Sequence, residues 1–171
     1  MNFSELIRSR YSVRAFAPQM IKDEELSAIL EAGHVAPTAC NNQPQKIYVV
    51  KSKKKLSALA EVCRFTFNAP LVFAVGYDKE RDWKNRRMQD YGSGETDAAI
   101  VLTHMMLAAW DMGIGSCWVG AFSADKVEEA LGIPEGVRIT ALMPMGYPAE
   151  SAVPHALHTT YRDASDIVET I

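Results

Sequence analysis

The chain has 171 residues, enough for one domain with a sizeable core, and its 48% apolar and 23% charged composition is that of an ordinary globular protein. A formal charge of −3 argues against a general nucleic-acid binder, while leaving room for a local basic pocket. No stretch is apolar enough to span a bilayer, Met1 to Glu5 is not a signal peptide, and three widely spaced cysteines without a CxxC point to a reducing cytoplasm rather than a disulfide framework or a zinc site.

In chain order, residues 2–9 read as a short helix with Phe3, Leu6 and Ile7 on one face. Arg10-Tyr11-Ser12-Val13-Arg14 follows, with two guanidinium groups and two hydroxyls in five residues. Arginine forks suit phosphates and planar heterocycle edges, because they present paired N–H donors and keep their charge. The same run also reads as a solvated turn. Residues 23–32 form a second helix, with Asp23, Glu24 and Glu25 in its first turn and Gly33 ending it. Ala36 to Pro44 is a loop of small and amide side chains between two prolines. Its amides suit a ring edge that both donates and accepts, or they satisfy the turn itself.

Ile47 to Val50 is a short strand, and Ser52 caps a basic helix running to about Cys63. Leu71 to Val75 is a continuous apolar run, the pattern of a central strand. Residues 79–93 are charged and aperiodic, a loop or lid carrying Trp83 and Tyr91. Residues 94–112 predict a helix apolar nearly all round, buried on every side in the core or between subunits. Gly113 to Gly120 is a glycine-studded strand or turn where a flat ligand can approach the backbone, or else a tight connection after a helix C-cap at Gly113. Ser123 opens a helix ending at Gly132, and Val137 to Met145 alternate as a further strand. The mixture is α+β, with strands separated by helices and residues 1–171 forming a single domain.

No catalytic acid, base or nucleophile stands out. His104 sits among apolar helical residues and reads as a core histidine, and the other histidines have no second ligand at metal spacing. Cys117 reads more readily as a small buried residue than as a nucleophile. Neither G-x-G-x-x-G nor a P-loop is present, and the G-x-S-x-G elbow is missing.

Several segments carry a resemblance in their order and spacing. They are the run at Arg10 to Arg14, the Glu-Leu-x-x-Ile-Leu-x-Ala-Gly helix, Ala36-Pro37-Thr38 through Asn41 to Gln43-Pro44, Asn68-Ala69-Pro70, Gly113 to Trp118, and Gly146-Tyr147-Pro148. Together they resemble the nitroreductase family of FMN-dependent NAD(P)H oxidoreductases. The resemblance implies a central, mostly antiparallel sheet flanked by helices, with a long helix at a homodimer interface. It implies that Arg10, Tyr11 and Ser12 hold the FMN phosphate and ribityl chain, with Arg14 at the pyrimidine edge of the ring. Pro37, Thr38, Ala39, Asn41 and Gln43 would come from the second subunit. Cys117, Trp118, Val119 and Gly120 would lie along the isoalloxazine, and Arg162 would close on the phosphate.

Phe65, Phe67, Trp83 and Tyr91 would form the substrate wall, and Arg64 is the candidate for a further polar flavin contact. The implied reaction is ping-pong: hydride passes from NADH or NADPH through flavin N5 to a small electron-poor acceptor, with no metal, membrane or nucleic acid involved. Reductive dehalogenation, flavin fragmentation and a redox-sensing module without turnover are the alternatives. Three features depart from the family: Thr160 stands where a lysine is expected (His158 is a substitute), Gln45 where an aromatic often follows Gln-Pro, and the chain is short.

Overall fold

A computed structural model describes residues 1–88 and 91–171. The elements are α1 (Phe3–Ser9), α2 (Asp23–His34), β1 (Gln45–Val50), α3 (Lys53–Val62), β2 (Leu71–Asp78), α4 (Gly94–Asp111), β3 (Gly115–Ser116), α5 (Ala124–Leu131) and β4 (Val137–Gly146). The strands form one antiparallel sheet in the order β1-β2-β4-β3. β2 and β4 are its centre, and most of their residues are buried, in line with the unbroken apolar run of β2.

Two cores lie on the two faces of this sheet. On one, α2 and α4 pack through Ile29, Val101, Leu102 and Met105 onto Phe73, Val75 and Met143. On the other, α3 and α5 pack through Leu59 and Val127 onto Val72, Ala74 and Leu142. Local signals set the helix ends. Ser52 Oγ accepts from the Lys55 N–H at 3.4 Å to open α3. Gly132 closes α5 in the left-handed conformation, φ 71°. Ser123 occupies the N-cap position of α5, but its side chain makes no capping bond.

Within one copy of the chain, α4 buries Asp97, Ala98, Val101, Leu102, Met105 and Ala109, while Ala99, Thr103, His104, Leu107 and Trp110 are half-buried. The apolar composition of α4 therefore exceeds what one copy of the chain covers. One expectation is corrected, at Gly115. A Cβ there would lie 2.6 Å from Val13 Cγ2, so the missing side chain is filled by a buried valine and not by a ligand.

The described residues of segment 79–93 form a loop, as expected, and it is tied together. Lys84 and Gly92 form an antiparallel bridge, and the Ser93 N–H donates to Trp83 O at 3.0 Å. Residues 89 and 90 of that segment lie outside the described residues.

Candidate active site

The Arg10–Arg14 run leaves α1 and passes beside β3. Ser12 forms a parallel bridge with Ser116, and the Val13 N–H donates to Ser116 O at 2.9 Å. Alternation then turns Val13 into the core and leaves Ser12 and Arg14 on the other side. Arg10, Tyr11, Ser12 and Arg14 line a cleft of about 390 Å³, together with His155, Leu157 and His158 from the C-terminal tail. Tyr11 holds these pieces in place. Its ring packs edge-on against Trp110 at 5.2 Å and against His158 at 6.1 Å, and its hydroxyl donates to Ala152 O at 3.3 Å. Arg14 Nη1 donates to Ser12 O at 3.1 Å, which fixes its guanidinium at the rim. Among the described residues, neither Arg10 nor Arg14 pairs with a carboxylate.

Residues 115–120 continue beside β4. The N–H groups of Cys117 and Val119 donate to Pro144 O and Leu142 O at 3.1 and 2.9 Å. Those two donors are therefore spent on the sheet. The alternate N–H groups, of Trp118 and Gly120, face away from β4, and these two residues line a second cleft with Phe122 and Thr140. Cys117 is buried, and burial pushes its thiol up, while Arg14, the Ser12 hydroxyl and Arg10 pull the other way. The thiolate that a nucleophile requires is thus disfavoured.

Segment 64–70 enters the sheet at this same end, since Leu71 pairs with Met145 and Met145 with Ser116. Phe67 and Asn68 are both left-handed, with φ of 52° and 50°. Phe65 and Phe67 lie 6.2 Å apart against the second core, and the Arg64 guanidinium covers the Phe65 ring at 4.6 Å.

The 37–43 loop lies at the opposite end of α4. Its Ala39 N–H donates to Asp97 Oδ1 at 2.9 Å, and Asp97 Oδ2 accepts from Ser93 Oγ at 2.8 Å. The Gln43 N–H donates to Thr38 Oγ1 at 3.1 Å. Cys40, Asn41 and Gln43 are all left-handed, with φ from 49° to 55°. Such backbone is costly for residues with side chains and persists where the surroundings impose it. Asp97 is the positioning residue that sequence reading missed: an acidic residue in the first turn of a helix usually reads as a dipole partner facing water.

The structure thus gathers Arg10, Tyr11, Ser12 and Arg14 in one cleft, with Cys117 to Gly120 on the adjoining segment. It does not bring Pro37, Thr38, Ala39, Asn41 or Gln43 there. Nor does it bring Arg162, which is exposed and donates to Asp166 O at 3.2 Å. His155 and His158 stand on the tail side of the cleft instead. Trp83 and Tyr91 lie on the segment near the loop end of α4, apart from Phe65 and Phe67.

At the edge of an antiparallel α+β sheet, this cleft thus offers a cationic lining of the kind that suits an anionic ligand. The nitroreductase family model matches residues 7–64 and 63–147, and the chain belongs to the nitroreductase family. It is similar to a nitroreductase family protein of Clostridium difficile 630, with 31% identity, a TM-score of 0.91, and coverage of 99% of this chain and 98% of that one. It is 29% identical over 161 residues to the NADPH-flavin oxidoreductase of Vibrio harveyi, covering 88% of this chain and 67% of that protein. It is 28% identical over 167 residues to the FMN reductase [NAD(P)H] of Bacillus subtilis (strain 168), covering 86% and 67%.

Proposed function

We propose that this chain is an FMN-dependent oxidoreductase that oxidises NADH or NADPH and reduces an electron-poor acceptor, such as a nitroaromatic or a quinone, by a ping-pong mechanism. The observation that carries this reading is the cleft where Arg10 and Arg14 converge without carboxylate partners among the described residues. Two guanidinium groups beside two histidines and the Ser12 hydroxyl form a donor set that fits a phosphate and a polyol chain. The relatives named for NADPH, flavin and FMN support the same assignment.

Bound FMN supplies the two-electron chemistry, so the protein needs no acid or base of its own. Arg10, Tyr11 and Ser12 bind the phosphate and ribityl chain, with His158 standing in where Arg162 points away. Arg14 keeps a permanent cation at the pyrimidine edge, which favours the reduced state. The Trp118 and Gly120 N–H groups, left over from the β4 ladder, supply donors to the ring edge. Phe65 and Phe67 of one copy, with Trp83 and Tyr91 carried beside the 37–43 loop of the second, bound the space for donor and acceptor.

The working unit in this reading is a homodimer with shared sites, each residue 1–171 domain contributing to both. Asp97, which anchors the 37–43 loop, and Trp110, which packs on Tyr11, are separated by roughly 20 Å of helix. One copy therefore cannot close its own loop over its own cleft, and the loop of a second copy completes it. Apolar side chains left exposed on α1 and the tail, Phe3, Val153, Leu157 and Tyr161, support such a cover. Among the described residues no helix is long and apolar enough to cross a membrane, and the three cysteines are free, in keeping with a reducing cytoplasm.

Purified protein should be yellow or become so with FMN, and NADH or NADPH should bleach it anaerobically. A protein that takes up no FMN overturns the reading. Shared sites are tested by mixing Arg14→Ala and Asn41→Ala chains. A heterodimer then has one intact and one doubly altered site, so purified heterodimer should recover about half of wild-type activity and a randomly paired equimolar mixture about a quarter; no recovery means that each site is built within one chain.

A further inference from the structure

Segment 79–92 carries five basic and three acidic residues in a chain whose net charge is −3, so it is a local reversal of sign. It is also built with care at its base. Asp82, with only 3% of its side chain exposed, accepts from the Gly94 N–H at 2.8 Å and from Lys84 Nζ at 2.6 Å. Trp83 is fixed by the bond from the Ser93 N–H to its carbonyl, and the Asn85 N–H donates to Tyr91 O at 2.9 Å. Asn85 Oδ1 accepts from the Arg87 N–H at 2.9 Å, which sets the turn that carries Arg86 and Arg87 into solvent.

Trp83, Lys84, Asn85, Arg86 and Arg87 line an open cleft of about 460 Å³. Its lining supplies an indole, the amide NH2 of Asn85 and two guanidinium forks, with Lys84 already engaged by Asp82. An indole stacks on a purine, an amide reads a purine edge, and adjacent arginines hold a phosphate dianion. The cleft also lies in a meaningful place. Asn42 Nδ2 donates to Arg81 O at 3.2 Å, so the base of this segment is tied to the 37–43 loop.

We infer that the Trp83–Arg87 cleft binds the adenosine 2′-phosphate end of the dinucleotide donor, and that Arg86 and Arg87 select NADPH over NADH. This rests on the reading of the chain as a dinucleotide-oxidising flavoenzyme. The nicotinamide must reach the flavin that the 37–43 loop covers, and the adenosine half then trails toward the segment tied to that loop. The pyrophosphate is common to both donors, whereas the 2′-phosphate is a terminal dianion that only NADPH carries. Two arginines at the exposed tip suit that terminal group.

The test uses the full-length protein supplied with FMN and titrated with adenosine 2′,5′-bisphosphate or adenosine 5′-monophosphate. Binding is followed by calorimetry and by tryptophan fluorescence. The bisphosphate should bind at least tenfold more tightly. Arg86→Ala/Arg87→Ala should abolish that preference, and the lysine pair Arg86→Lys/Arg87→Lys should restore part of it. Trp83→Phe should remove the fluorescence change while leaving the preference. In turnover, the double alanine variant should lose at least tenfold in kcat/KM for NADPH and less than twofold for NADH. Equal binding of the two probes to wild type, an unaltered preference in the double variant, or equal losses with both donors would overturn the assignment. Bisphosphate binding does not depend on flavin, so a protein that binds the probe but takes up no FMN keeps this site and refutes the flavoenzyme reading instead.

Discussion

Asp97 and Ala39 are 58 positions apart, and the Ala39 N–H donates to Asp97 Oδ1 at 2.9 Å. The other oxygen takes the Ser93 hydroxyl, so one buried carboxylate ties the 37–43 loop to the start of α4. Asp97→Ala leaves a half-buried N–H and a buried hydroxyl without acceptors and should cost about 2 kcal/mol in stability. Asp97→Asn keeps an acceptor for Ala39 and can donate to Ser93, so about 1 kcal/mol is expected. Urea unfolding measures both. In FMN titration at a denaturant-free stability plateau, the alanine variant should bind about tenfold more weakly, a loss of about 1.4 kcal/mol. Unchanged FMN affinity in a folded alanine variant would show that the loop is not part of the site.

Gly115 and Val13 make a second long-range contact with a clear sign. A Cβ on Gly115 meets Val13 Cγ2 at 2.6 Å and Val13 Cβ at 2.8 Å, and a valine Cβ cannot swing aside. Gly115→Ala should therefore destabilise by about 1–3 kcal/mol through overpacking. In a Val13→Ala background the same change should cost much less, and the double-mutant cycle reads the coupling directly. An additive cycle would mean that Gly115 is required for some other reason.

These two contacts mark the limit of what local pattern reveals. Helix caps at Ser52 and Gly132, the apolar run of β2 and the loop at 36–44 are local features, and each is where residue spacing puts it. The residues Arg10 to Arg14 could likewise be grouped, because they adjoin in sequence and share a chemistry. The pairing of Val13 with Gly115 depends on tertiary register, and spacing alone made Gly115 look like a place for a ligand. The same holds for Asp97, whose loop partner is invisible along the helix. Arg162 lies apart from the cleft within one copy of the chain, where the Asp166 carbonyl four residues on offers it a local acceptor. The all-round apolar face of α4 was read correctly as composition, but one copy of the chain buries only part of it.

Gln45 Oε1 is buried without a hydrogen-bond donor among the described residues. An unsatisfied acceptor costs about 1–3 kcal/mol, whereas an apolar group of similar length at the same place costs nothing in hydrogen bonding. Gln45→Leu should therefore be neutral or stabilising, by up to about 1 kcal/mol, as a rise in the urea midpoint at constant slope. A clear loss of stability would show that the carbonyl finds a partner in the assembled protein.

Cys117 gives the protein a pH dependence with a defined sign. Burial raises its thiol pKa in the folded state, so the unfolded chain ionises first as the pH rises. Stability is therefore fully present below the ordinary thiol range, about pH 8.5, and falls as the pH climbs from there toward the raised folded value. Tyr48 and Tyr77 are also pushed up by burial, but phenols add their own decline only above about pH 10. Cys117→Ala should flatten the stability profile between these two ranges while leaving the decline at higher pH. Thermal unfolding across that interval checks this, and a wild-type profile that stays level there would mean that Arg14 and Arg10 outweigh burial at the thiol. The same measurement bears on the chemistry: a thiol that ionises late at this position is packing beside the Ser12 strand and not a nucleophile in the cleft.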